Sequence, residues 1–285
     1  MISCDEPPTT AGTLAPHPRL AYAAARSAYD EPVLYEERKR AESFGGVAEL
    51  YDRARPSYPP ALVDALLEDE PRAVLDIACG TGIAGALIAA RGCDVLGVEL
   101  DARMAALARA RGLSVEVAPF EAWEPAGRSF QLAICAQAWH WLQPHAALTK
   151  AASALRGGAQ LAVFWNFGDP PDDVAARLDP VYAELEPELH GRSVLLGHRE
   201  GRIEGALGAI THEHDFERAQ TREFSWSKHY TTAAWLDVLR THSDHQTLPP
   251  ERLQRLLDAV AHALDELGGS FELPYTTKLV SARRR

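Results

Sequence analysis

The sequence predicts a doubly wound α/β fold on a mostly parallel, seven-stranded sheet. From Arg72 to Trp165, short runs of continuous apolar residues alternate with helical stretches. Continuous rather than alternating hydrophobicity marks strands covered on both faces. Short glycine-containing turns join these runs, as in βαβ units. A final β-rich run, Phe271 to Ala282, returns after a helical insert and would complete the sheet.

Each element has a local reason. Residues 1–19 carry Pro7, Pro8, Pro16 and Pro18 with little to bury, and are expected to be a disordered tail. A helical arm over 20–40 precedes the main domain, 41–285. Phe44 to Arg55 has helical spacing and would form an N-terminal lid, stopped by Pro56. Ala61 to Leu67 starts a second helix after Pro60. Strands are expected at 73–78, 94–100, 114–118, 130–136 and 160–165, with helices at 83–91, 104–111 and 146–155 between them. The polar, helix-leaning segment 167–215 is expected to be an inserted cap. Strand character then centres on Arg222 to Trp226, and helices are expected at 232–240 and 250–267.

Composition excludes several functions. The 285 residues are 46% hydrophobic, enough for one large domain. Lys and Arg total 29 against 40 Asp and Glu, a net charge of −11 that repels nucleic-acid phosphates and anionic membranes. The four cysteines form no CxxC pair, so neither a zinc site nor a disulfide framework is expected. No secretory signal or long apolar span is read, and a cytoplasmic protein is expected. His212-Glu213-His214 lacks a third ligand and reads as an exposed segment rather than a metal site. Arg283 to Arg285 read as a solvated tail.

The chemistry-bearing feature is the loop after the first strand. Gly80-Thr81-Gly82-Ile83-Ala84-Gly85 matches G-x-G-x-x-G, and Glu99 follows Gly80 by 19 residues at the end of the second strand. That arrangement suits a nucleotide cofactor, with backbone N–H groups at a helix start and a carboxylate for ribose hydroxyls. An NAD-dependent dehydrogenase is therefore one reading. Asp76, four residues before Gly80, argues otherwise. An acid there would repel a pyrophosphate and attract the ammonium of a methionine moiety. The Tyr-x-x-x-Lys at Tyr35 and Lys39 precedes the loop and reads as a solvated helix face.

Val74-Leu75-Asp76-Ile77-Ala78-Cys79-Gly80-Thr81-Gly82 resembles motif I of the class I S-adenosylmethionine-dependent methyltransferases. The resemblance runs from about Phe44 to Trp165. Leu155-Arg156-Gly157-Gly158 resembles the turn before their fifth strand. Ala136-Gln137-Ala138-Trp139-His140-Trp141 and the lid sequence Tyr51 to Pro59 resemble a small-molecule branch that includes trans-aconitate-methyltransferase-like proteins. Ala78 stands where the family's first glycine is usual, Pro119 where many relatives carry an acid, and Gln131 where Asp is frequent.

The resemblance implies a Rossmann-like fold and S-adenosyl-L-methionine as cofactor. It would be held by Tyr51, Arg55, Asp76, Ala78, Gly80, Gly82, Glu99, Leu100, Phe120, Glu121 and Gln137. Methyl transfer from a sulfonium mainly needs alignment and exclusion of water. His140 is the candidate general base, with a supporting role in the pocket wall as the plainer reading. Trp139, Trp141 and Trp226, with Trp235, could wall an acceptor site for a flat substrate, although core packing explains some of them equally well. The expected activity is methyl transfer to an O, N or C nucleophile of a small molecule, in secondary metabolism. A methyltransferase fold that binds the cofactor without transfer is a third reading. The sequence does not specify an oligomeric state.

Overall fold

Seven strands form one sheet in the order β3-β2-β1-β4-β5-β7-β6. They are β1 (Ala73–Ile77), β2 (Asp94–Glu99), β3 (Ser114–Val117), β4 (Phe130–Ala136), β5 (Leu155–Gly168), β6 (Gln220–Thr231) and β7 (Ser270–Arg283). β1 to β5 pair in parallel, whereas β7 lies antiparallel between β5 and β6. The computed structural model describes residues 46–190 and 200–285. The expected tail and helical arm, 1–40, and part of the expected cap, 191–199, lie outside the described residues. All described residues belong to one unit, Val33–Arg285.

The helices are α1 (Ala48–Ala54), α2 (Pro60–Leu66), α3 (Ile83–Ala89), α4 (Ala102–Ala110) and α5 (Pro144–Ala154). Beyond β5 come α6 (Asp172–Leu185), α7 (Pro187–His190), α8 (Glu200–Thr211), α9 (Thr232–Arg240) and α10 (Pro250–Asp265). Successive strand residues point to opposite faces, so β1 feeds two cores at once. Val74 packs with Leu62 and Leu66 of α2, Ile88 of α3 and Ala108 of α4. Leu75 and Ile77 pack with Leu148 and Ala151 of α5 and Ile210 of α8. A third cluster joins α6, α9 and α10 to Tyr230, Phe271 and Leu273. Within the expected cap, α6 packs on α10, and α8 packs on β7 and α5.

Two strands differ most from the sequence expectation. β5 begins at Leu155 rather than Gln160, because Phe130 pairs with Leu155 while Leu132 pairs with Gln160. The intervening Arg156 to Ala159 bulge out, which Gly158 permits with φ +77°. β6 spans twelve residues because it pairs along its whole length with β7, although no other strand among the described residues pairs with it. No helix among the described residues is long and apolar enough to cross a membrane.

Candidate functional site

A cavity of about 640 Å³ opens at the C-terminal ends of β1, β2, β4 and β5, where parallel sheets bind ligands. Its floor is the loop after β1. Ala78, Gly80 and Gly82 all have left-handed backbones, with φ of +51°, +58° and +80°. This explains why glycine is usual at position 78: alanine carries a Cβ penalty there. Gly82 has no alternative, since a Cβ would lie 2.7 Å from Leu113 Cδ1 and 3.0 Å from Ala108 Cβ.

Glu99 closes β2 and lines the cavity. Its Oε2 accepts from the Gly80 N–H at 2.8 Å and its Oε1 from the Asp101 N–H at 2.9 Å. Burial raises its pKa and these N–H groups oppose that rise. Leu100 and the buried ring of Phe120 continue the wall, and Phe120 is stacked on Trp123 with centroids 6.2 Å apart. Glu121 also lines it, accepting from the Gln143 N–H at 3.0 Å. A carboxylate for a vicinal diol beside an apolar slot for a purine fits an adenosyl group.

Asp76 does not join them. Its side chain is fully buried, is absent from the cavity lining, and neither carboxyl oxygen has a hydrogen-bond partner among the described residues. It points at Gly85 of α3, where an added Cβ would sit 2.7 Å from its Oδ2. Burial, with Glu99 adding to it and the Gly85 backbone opposing it, pushes its pKa up to about 8. The expectation of an anion facing the cofactor's ammonium is therefore corrected: this acid sits behind the loop and is mostly neutral at pH 7. The physical reason is strand parity, which sends residue 76 to the same face as Val74, under α3.

The segment after β4 splits as its residues alternate. Trp139 is core, whereas Gln137, His140 and Trp141 line the cavity. Gln137 is held at φ +60° by its N–H, which donates to the Phe164 carbonyl at 2.8 Å. His140 Nδ1 accepts from the Trp165 indole N–H at 3.1 Å. Indole only donates, so the proton of neutral His140 resides on Nε2, making that nitrogen a donor. This geometry opposes the base role considered for His140. Trp226 does not line the cavity; it stacks on Tyr275, which does, and donates to Thr277 Oγ1 at 2.9 Å. Trp235, from α9, lines it.

Tyr51 and Arg55 reach the cavity from α1. The Arg55 guanidinium lies 4.9 Å from the Tyr51 ring centre and donates to the Thr241 carbonyl at 2.7 Å. That bond ties the lid to the end of α9. Beyond Thr241 lies a stretch the sequence reading missed: His242, Ser243 and Asp244 line the cavity. Asp244 Oδ1 accepts from His245 Nδ1 at 2.8 Å, and His245 Nε2 meets the Tyr182 hydroxyl at 2.9 Å. The only signal was a cluster of polar residues, Thr241 to His245, directly after an apolar helix.

The His212 to His214 segment is locally engaged: His212 Nδ1 lies 2.7 Å from the Gly208 carbonyl and Glu213 pairs with His145. No cluster of three potential metal ligands occurs among the described residues.

Comparison with known proteins points to methyltransferases. Residues 74–158 match the family described as "Methyltransferase domain". A solved structure from Anaeromyxobacter dehalogenans, provisionally assigned as a type II methyltransferase, is 25% identical with a TM-score of 0.58, over 80% of this chain and 97% of that one. The chain carries a methyltransferase domain and is similar to S-adenosylmethionine-dependent methyltransferases. An uncharacterized methyltransferase of Mycobacterium tuberculosis is 29% identical over 252 residues, 84% of this chain and 95% of the relative. A structure from Anabaena variabilis, with a TM-score of 0.54 at 12% identity, shares the fold. This methyltransferase also departs from dinucleotide-binding sheets, whose order is 3-2-1-4-5-6, by the antiparallel β7 set between β5 and β6. The dehydrogenase reading falls with it.

Proposed function

We propose that this methyltransferase acts on a small-molecule acceptor, with the cofactor held by the β1 loop, Glu99 and the Phe120 wall. The observation that carries the reading is the extent of the cavity. It continues past the cofactor-type residues to Trp141, Trp235, Val238, His242, Leu273 and Tyr275. Those side chains come from the segment after β4, from α9 and its C-terminal extension, and from β7. They give the acceptor end largely apolar walls with polar groups set among them, the usual make-up of a small-molecule site. When bound, the cofactor supplies an activated methyl group. The chain's own contribution is to orient both partners and exclude water. With Asp76 behind the loop, the cofactor's amino-acid head would fall to Tyr51, Arg55, Gln137 and main-chain groups.

The net charge of −11 supports an acceptor other than a nucleic acid. The test is incubation of the full chain with radiolabelled methyl donor and separate panels of phenols, amines and carboxylates. Labelling of a panel member is the expected result. Labelling of RNA or protein alone would overturn the small-molecule reading.

A further inference from the structure

We propose that His242 is the catalytic base, taking the proton from a neutral hydroxyl or amine acceptor. The proposal rests on the small-molecule reading above and deepens it, because it excludes carboxylates, which react as anions and need no base.

Four observations converge on His242. Its ring lines the acceptor end of the cavity and has no hydrogen-bond partner among the described residues, so a ring nitrogen is available. His140, the other cavity histidine, already spends Nδ1 as an acceptor from Trp165, which leaves it a donor. Next to His242, the Asp244 carboxylate is fixed by the His245 Nδ1–H and the His245 main-chain N–H, each at 2.8 Å. His245 is in turn braced in the core by the Tyr182 hydroxyl. A fixed negative charge two residues away stabilises the imidazolium that forms on proton transfer.

The charged groups facing the ring are Arg55 from α1, Arg202 from α8, and Asp244 and His245 from its own segment. Burial first, then Arg55, hold the imidazole well below its ordinary pKa, while Asp244 opposes them. It is therefore unprotonated at neutral pH, the state a base must hold before proton transfer, with Asp244 the group that favours the imidazolium.

The step balances. The acceptor's O–H or N–H bond breaks and its proton binds the free ring nitrogen of His242. The acceptor atom bonds the methyl carbon supplied by the cofactor as the C–S bond breaks, and that electron pair stays on sulfur. One positive charge leaves the sulfonium and one appears on the imidazolium beside Asp244.

The test uses full-length protein carrying ¹⁵N-histidine and loaded with S-adenosylhomocysteine. His242→Gln assigns the ring signal, and His242→Asn takes its place if the Gln variant loses cofactor affinity by calorimetry. At pH 6.5 the His242 signal is expected to be that of an unprotonated ring nitrogen, and to move when phenol is added. In the turnover assay, His242→Gln is expected to lower kcat on phenols or amines at least about 100-fold. Activity should return as pH rises toward the acceptor's own ionisation. A protonated signal at pH 6.5, a signal that phenol leaves unmoved, undiminished turnover in the variant, or carboxylates as the sole acceptors would each overturn the proposal. Failure of the wild type to bind S-adenosylhomocysteine would instead strike the cofactor assignment.

Discussion

Asp76 is the residue whose surroundings most change its chemistry. In the free protein its pKa is raised from 3.8 to about 8 by burial, so folding favours the protonated form. The stability it allows is fully present below about pH 4 and is lost as pH rises through about 8, at about 1.4 kcal/mol per pH unit. Asp76→Asn keeps the neutral shape and should flatten the pH dependence of urea unfolding between pH 5 and 8. Parallel curves for the two proteins would show that the acid is not linked to folding. Its neighbour Gly85 gives a second prediction. Alanine would gain about 1 kcal/mol in helix propensity. Its Cβ, however, would meet Asp76 Oδ2 at 2.7 Å, Leu113 Cδ1 at 3.0 Å and Val95 Cγ1 at 3.3 Å. Overpacking of this kind costs about 1–3 kcal/mol, so a net loss on the order of 1 kcal/mol and a lower Tm are expected for Gly85→Ala. The third glycine of the loop thus serves helix–strand packing rather than ligand contact.

At the scale of elements, the lid depends on a few tethers. α1 packs on α9 and α4. Arg55 reaches Thr241 at the end of α9, and Asp52 pairs with Arg111 just beyond α4 at 2.8 Å. Exposed pairs such as the second contribute little, whereas a half-buried guanidinium bond to a carbonyl is worth about 1.5–3 kcal/mol. Arg55→Ala should therefore speed amide exchange in residues 48–54 about tenfold or more, and Arg55→Lys should restore only part of the protection. Unchanged exchange in Arg55→Ala would mean that packing alone seats the lid. The link from α6 to the end of α9 is different in kind. Tyr182→Phe leaves buried His245 Nε2 without its partner, at a cost of about 1–3 kcal/mol, and Tm should fall while S-adenosylhomocysteine affinity stays within about twofold. The sequence made the central strands legible because burial on both faces writes continuous apolar runs. It hid the extent of β6, whose half-buried Lys228 and exposed His229 sit on a strand that, among the described residues, pairs only with β7. It also hid the His242 to Asp244 wall, since the residues flanking it are tied to distant partners, the Thr241 carbonyl to Arg55 across 186 residues and His245 to Tyr182 across 63, and leave no local spacing to read.

For the whole molecule, the loop sequence alone left two cofactors open, and the sheet distinguished them. An antiparallel β7 between β5 and β6 extends the sheet beyond the cofactor half and brings Leu273 and Tyr275 to the cavity. A long dinucleotide would have to cross that half, where His242, Asp244 and Trp235 stand. In the proposed placement, an adenosyl amino acid would end near Tyr51 and Arg55 and leave the remainder of the cavity for an acceptor. The two cases separate by mass action. A ligand that binds only the folded chain at 100 times its Kd adds about 2.7 kcal/mol. For a chain of this size that raises Tm by about 5 °C or more. S-adenosylhomocysteine should produce such a rise, and NAD at the same concentration should leave Tm where it was. If NAD shifts the transition and S-adenosylhomocysteine does not, the cavity has been assigned to the wrong nucleotide despite the sheet order.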